Sequence, residues 1–282
     1  MSAGGRWRDL LARLGFIDRR VVHLATLAVA IAAVLWPPAL PVRPRPDTIA
    51  AFRLGQGLRP GDAVFIWIDY GFGAQEELDP LLRALLLQLM RQGALLCIAS
   101  RSPEGAGIAD AAVRQVGAAF PAYAQGYGRT WLDLGYRPAA DVALRAATAD
   151  LPAAYNGVDE TGRALSSLPA AAGLRALGPA DFRLAYVLDW GDGYAPMMTY
   201  VSQVTGLRLV VGAIAMEAPV IEPYVQTGQI AAVIAGTRGA AEYESLLDAP
   251  GIATALHRGS VLAALFVCAL LLAGNLGALA GG

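Results

Sequence analysis

The sequence predicts an α/β protein with a mostly parallel, Rossmann-like sheet flanked by helices and one transmembrane helix at each terminus. Three observations carry that expectation. Each end of the chain holds an uncharged apolar stretch of about twenty residues, the length that crosses a bilayer. Only 16% of the 282 residues are charged, and mean hydropathy is +0.46. Between the ends, apolar β-rich runs alternate with helical patterns, as in sheets built from strand–helix–strand units.

Along the chain, an N-terminal tail (1–20) precedes a first span over 21–40, VVHLATLAVAIAAVLWPPAL. Trp36 suits a headgroup region, and Pro37, Pro38 and Pro41 end the helix. The run ends in prolines rather than a small-residue cleavage site, so it reads as a retained anchor and not a signal peptide. The α/β domain is expected over 41–257 and the second span over 258–282. Arg6, Arg8, Arg13, Arg19 and Arg20 favour a cytoplasmic tail, and Arg43, Arg45, Arg53 and Arg59 oppose it. Long loops cross largely regardless of charge. The expected placement is therefore a multi-pass protein of the inner (plasma) membrane with its domain outside the cytoplasm; a cytoplasmic domain is the alternative.

Six strands are expected, at Ala63–Tyr70, Ala94–Ala99, Trp131–Leu134, Leu184–Asp189, Leu207–Ile214 and Ile230–Ala235. Several are apolar throughout, which fits strands covered on both faces. Helices are expected between them, near Glu76–Gln92, Ala106–Ala119, Ala140–Ala149, Pro196–Val204, Pro219–Gln226 and Ala240–Leu247. Pro41–Pro46 reads as a stiff connector. The stretch Leu151–Pro179 fits least: its NGVDETG (156–162) suits a hairpin, a lid or a surface loop.

Composition removes several chemistries. Net charge is −1, which gives no electrostatic case for nucleic acid. No residue is lysine, and the two histidines, His23 and His257, fall in or beside the apolar ends. The domain core thus has no Schiff-base lysine and no histidine for a Ser-His-Asp or Cys-His arrangement, and it has no zinc spacing. Cys97 and Cys268 lie in apolar runs and make no disulfide pair by pattern. No cofactor or metal is expected.

Ligands of open parallel sheets bind beyond the carboxyl ends of the strands. Reading those ends gives Asp69 and Tyr70, Arg101, Asp189, Glu217, and Gly236, Thr237, Arg238 and Gly239 as candidate ligand-binding residues. Carboxylates mixed with arginine suit a small anionic or sugar-like ligand; the plainer reading is polar residues that meet water and cap helices. In GTRGAAEYE (236–244), two glycines flank Thr237 and Arg238 between a strand and a helix, a setting for an anion at a helix N-terminus. The loop lacks full dinucleotide spacing. DWGDGYAP (189–196) falls short of a calcium loop and reads as a turn before a helix. Tyr127, Gly128, Tyr136 and Pro138 form a cluster that walls a pocket or simply packs.

The pieces IDRR (17–20), IDYG (68–71), LGYRP (134–138), EPYVQTGQI (222–230) and GTRGAAEYE occur in an order that resembles a family of uncharacterised prokaryotic membrane proteins. That resemblance implies a span at each end of a central α/β domain and carries no activity. This chain departs from the family at ALHRGS (255–260), where the family is more polar.

The expected function is a membrane-anchored, non-catalytic subunit of a membrane protein complex, docking partners or sensing a small ligand. Its partners would be the lipid bilayer and other membrane proteins or further copies of itself. The alternatives are an enzyme using Asp69 with Asp189 or Glu217 as an acid/base pair, and a scaffold that self-associates through its spans.

Overall fold

The computed structural model describes residues 18–35 and 40–281. The tail arginines Arg6, Arg8 and Arg13, and the predicted helix end at Trp36, Pro37 and Pro38, lie outside the described residues. In chain order the elements are α1 (Arg19–Leu35), α2 (Pro46–Gln56), β1 (Ala63–Asp69), α3 (Gln75–Arg91), β2 (Leu95–Ser100), α4 (Gly105–Gly117), β3 (Trp131–Tyr136), α5 (Ala140–Ala147), β4 (Leu184–Asp189), α6 (194–205, including a π-helical turn), β5 (Leu209–Ala213), α7 (Ala218–Gln226), β6 (Ala232–Ala235), α8 (Gly236–Leu246) and α9 (Ile252–Gly281). Contacts divide the chain into two units, Arg43–Ala253 and Met1–Val42 with Thr254–Gly282.

In the α/β unit all six strands are parallel, in the order β3-β2-β1-β4-β5-β6. This is the Rossmann-like order, which reverses direction between β1 and β4. Every residue of β1 and β4 is buried, because a parallel sheet needs cover on both faces. Alternation sends Phe65 and Trp67 to one face, with Cys97, Leu132, Leu134 and Val187. Gly212 matters for the other face: a Cβ there would lie 2.6 Å from Leu81, so glycine lets α3 lie against β5.

All six expected strands are present, with ends displaced by at most two residues. Two stretches differ from expectation. Residues 46–56, for which the sequence suggests no element beyond the end of a connector, form α2; Pro46 sits in its first turn, where a missing N–H costs nothing. The 151–179 segment is no free lid, since Tyr155, Leu165, Leu174 and Leu177 join the main core. Its turn at 156–163 is closed by a bridge between Val158 and Ala164.

In the second unit, α9 is 30 residues long and contains a 25-residue stretch, Ile252–Leu276, with mean hydropathy 2.1. It is long and apolar enough to cross a membrane, and only 6% of its most apolar part is buried, unlike the core helix of a soluble domain. Helix α1 has 17 described residues, short of the roughly twenty a span needs, so the expected N-terminal span is not shown. Leu24, Leu27 and Ile31 of α1 and Leu265, Leu271 and Leu272 of α9 are exposed. Arg258 Nε donates to the Leu40 carbonyl at 2.8 Å. Cys268 is exposed and Cys97 is buried in β2.

Candidate functional site

Where β1 and β4 end side by side, Asp69 and Asp189 are partners in register. Neighbouring strands lie about 4.8 Å apart, so the two carboxyls share one small volume at the point where the sheet order reverses. Asp69 is 6% exposed and Asp189 fully buried. The Asp189 carboxyl accepts from the Gly191 and Gly193 N–H groups at 3.0 Å and from Tyr194 N–H at 3.3 Å. The DWGD turn thus wraps its own aspartate and opens α6. Asp69 binds Arg101, the residue after β2, at 3.0 Å, and the same Nη1 reaches Asp192 at 2.7 Å.

Burial pushes Asp189 up to about 6; the Asp69 charge adds to this, and the three N–H donors oppose it. Burial raises Asp69 too, while Arg101 and a hydrogen bond with Asp189 pull it down. Two like charges this close do not ionise together easily. The pair therefore holds a proton more tightly than an isolated carboxyl does, with Arg101 favouring the charge on its Asp69 side. Arg101 in turn holds Asp192 below the usual carboxylate range.

Gly193 makes this arrangement fit. Its backbone is ordinary right-handed, but a Cβ there would fall on Asp69 Oδ2. Replacing Gly193 with alanine should cost about 1–3 kcal/mol by overpacking. A thermal melt that matches the parent chain would remove Gly193 from the site.

Of the residues expected from the sequence, the structure brings together Asp69, Arg101 and Asp189. Tyr70 does not join them: its buried hydroxyl donates to Asp79 of α3 at 2.8 Å. Glu217 stands at the start of α7, four residues past the end of β5, rather than at a strand end. Gly236, Thr237, Arg238 and Gly239 follow the edge strand β6. Arg238 Nε is 2.9 Å from Glu242, one turn along the same helix, and Gly239 allows close packing on Ile234. In front of Gly236 lies the protein's own Glu77, whose carboxylate accepts from Ala215 N–H at 2.9 Å. A carboxylate of this chain therefore lies beside Gly236.

The sequence shows Asp192 in the DWGD strand end but gives it no ligand role, and Gly71 and Gly73 after β1 go unremarked as a loop. Those glycines have the first two positions of a dinucleotide loop, but position 76 is Glu76 and Glu77 follows. Two carboxylates in the first turn of α3 oppose a pyrophosphate, so these residues do not suit a dinucleotide. Among the described residues no group of three or more His, Cys, Asp or Glu is arranged to hold a metal ion.

No family model matches this chain, and no curated protein matches it.

Proposed function

We propose that this chain is a membrane-anchored, non-catalytic subunit of a membrane protein complex, whose α/β unit senses a small ligand in the β1/β4 crevice. The in-register pair Asp69 and Asp189, with Arg101 bound to Asp69, is the observation that carries the ligand part. Buried carboxyls at a strand-order reversal are acceptors for ligand hydroxyl or ammonium groups. The outward-facing leucines of α1 and α9 support the anchor, since such side chains are stable against lipid and not against water. Placement in the inner membrane with both ends embedded, and the resemblance to a two-span membrane family, belong to the same proposal.

Purification of the full chain in mild detergent should yield a mass above the monomer with companion chains; a monomer alone would sink the subunit reading. Only copies of this chain would point to the scaffold. For the crevice, a thermal-shift screen of small polyols, amino acids and sugar acids should find a stabilising ligand. Asp69→Asn and Asp189→Asn should each weaken that response by about tenfold, the loss of one charge-assisted hydrogen bond. A response unchanged in both variants would rule out the crevice.

One observation favours an enzyme as a second reading. A carboxyl held at about 6 beside a second buried carboxyl is poised for acid/base work. Turnover abolished in Asp189→Asn with ligand affinity retained would select that reading.

A further inference from the structure

We infer that the cleft between the carboxyl ends of β2 and β3 is a phosphate subsite held by Arg101 and Arg137; it rests on the crevice reading only for the remainder of the ligand. The cleft has a volume of about 440 Å³ and is lined by Arg101, Tyr136, Arg137 and the first turn of α5.

Each arginine is fixed and leaves donors over. Arg101 makes both of its ion pairs through Nη1, and among the described residues its Nε and Nη2 donate to nothing. That edge is the one with which a guanidinium grips an oxyanion side-on. Arg137 donates from Nη2 to the carbonyl of Tyr155 at 2.5 Å, with its guanidinium carbon 5.3 Å from that ring's centroid. Its Nε is buried and has no hydrogen-bond partner among the described residues. Arg137 therefore brings an unmet donor to the wall of the cleft. The third contribution comes from α5, eight residues long, whose N-cap Ala139 offers no side-chain acceptor to the first N–H groups.

Asp141, in the same turn, and the Asp69 and Asp192 carboxylates already on Arg101 work against an anion. Phosphate therefore enters by displacing Asp192, which leaves two guanidiniums and a helix N-terminus against two carboxylates. Asp192 is then a stand-in on Arg101: its side chain is 85% exposed and free to leave when phosphate arrives.

The test is calorimetric titration of inorganic phosphate into the full-length chain in an uncharged detergent. Arg137→Lys keeps the charge and loses the fork; it should weaken binding about tenfold, and Asp192→Asn should tighten it several-fold by freeing Arg101. Tightening is the sharper arm, because a variant that misfolds does not gain affinity. Phosphate that fails to bind, or binds equally to parent and both variants, overturns the subsite. Repeating the titration in bilayer discs rich in phosphatidylglycerol separates the sources of phosphate: a suppressed response assigns the site to a lipid headgroup, an intact one to a soluble ligand. A polyol response that still depends on Asp69 and Asp189 while phosphate fails would overturn this subsite alone.

Discussion

Replacing Glu242 with alanine should lower the stability of the α/β unit by about 2–6 kcal/mol, at about 1–3 for each of two donors left without their buried acceptor. Glu242 is fully buried in α8. Its carboxylate accepts from Arg45 N–H at 3.1 Å, Arg45 Nε at 3.0 Å, Thr48 Oγ1 at 2.6 Å and Arg238 Nε at 2.9 Å. Thr48 is itself fully buried, so the variant strands a hydroxyl and an N–H group at the start of α2. Arg45 and Arg238 are 39% and 58% exposed, which screens their share and puts most of the loss on the buried donors. Burial acts to raise Glu242, but the bonds from Thr48 and Arg45 more than offset it, so the folded carboxyl ionises below its unfolded value. Its contribution is thus present above pH 4.5, the ordinary glutamate value, and fades as pH falls through the folded value. Melting curves should separate parent and Glu242→Ala widely at pH 7 and less in acid. A gap under about 1 kcal/mol at pH 7 would mean the cluster is ornamental.

Asp133→Asn should do the opposite. Asp133 is 3% exposed inside β3, where its Oδ1 accepts Gly135 N–H at 2.7 Å. Burial pushes it up to about 7 against that bond, with the carboxylates of Glu160, Asp110 and Asp159 adding to the rise. A folded value above the unfolded one means full stability below about pH 4, lost as pH climbs towards 7 and beyond. An asparagine keeps the acceptor and never ionises. Each tenfold change in proton affinity is worth about 1.4 kcal/mol, so the variant should gain about 4 kcal/mol at pH 8 and almost nothing at pH 4. Denaturation followed by tryptophan fluorescence at both pH values decides it; equal stability of the two chains at pH 8 would refute the burial argument.

The strands β1 and β4 are readable because they are unbroken apolar runs ended by aspartate, the pattern of strands covered on both faces. Asp69 and Asp189 are readable for the same reason, since each is the first charged residue after such a run. Their pairing in register is not, because it depends on strand order, and β1 could have paired elsewhere. Helix α2 escapes notice because PDTIAAFRLGQ comes after a proline-rich connector and has weak amphipathic contrast. Asp133 is easily passed over inside WLDLGY, where a lone acid carries no periodic signal. Arg137 is visible in LGYRP but not its company, since Tyr155 reaches it only through tertiary packing. The segment 151–179 spaces its core leucines irregularly around single turns, so no period of 2 or 3.6 could reveal it. The Arg238 partner Glu242, one turn along the same helix, is visible in the i, i+4 spacing of GTRGAAEYE.

The strand order also shapes how the chain must assemble. Strand β1 is synthesised first of the six yet lies in the middle, flanked by β2 and β4. Its β2 edge closes early, but the other edge waits for everything from Tyr70 to Arg183 to emerge. Until then AVFIWID offers open backbone amides and bare apolar side chains, the features that invite pairing with a stranger. A ribosome-bound intermediate halted before β4 is accordingly the species of this protein most in need of a chaperone.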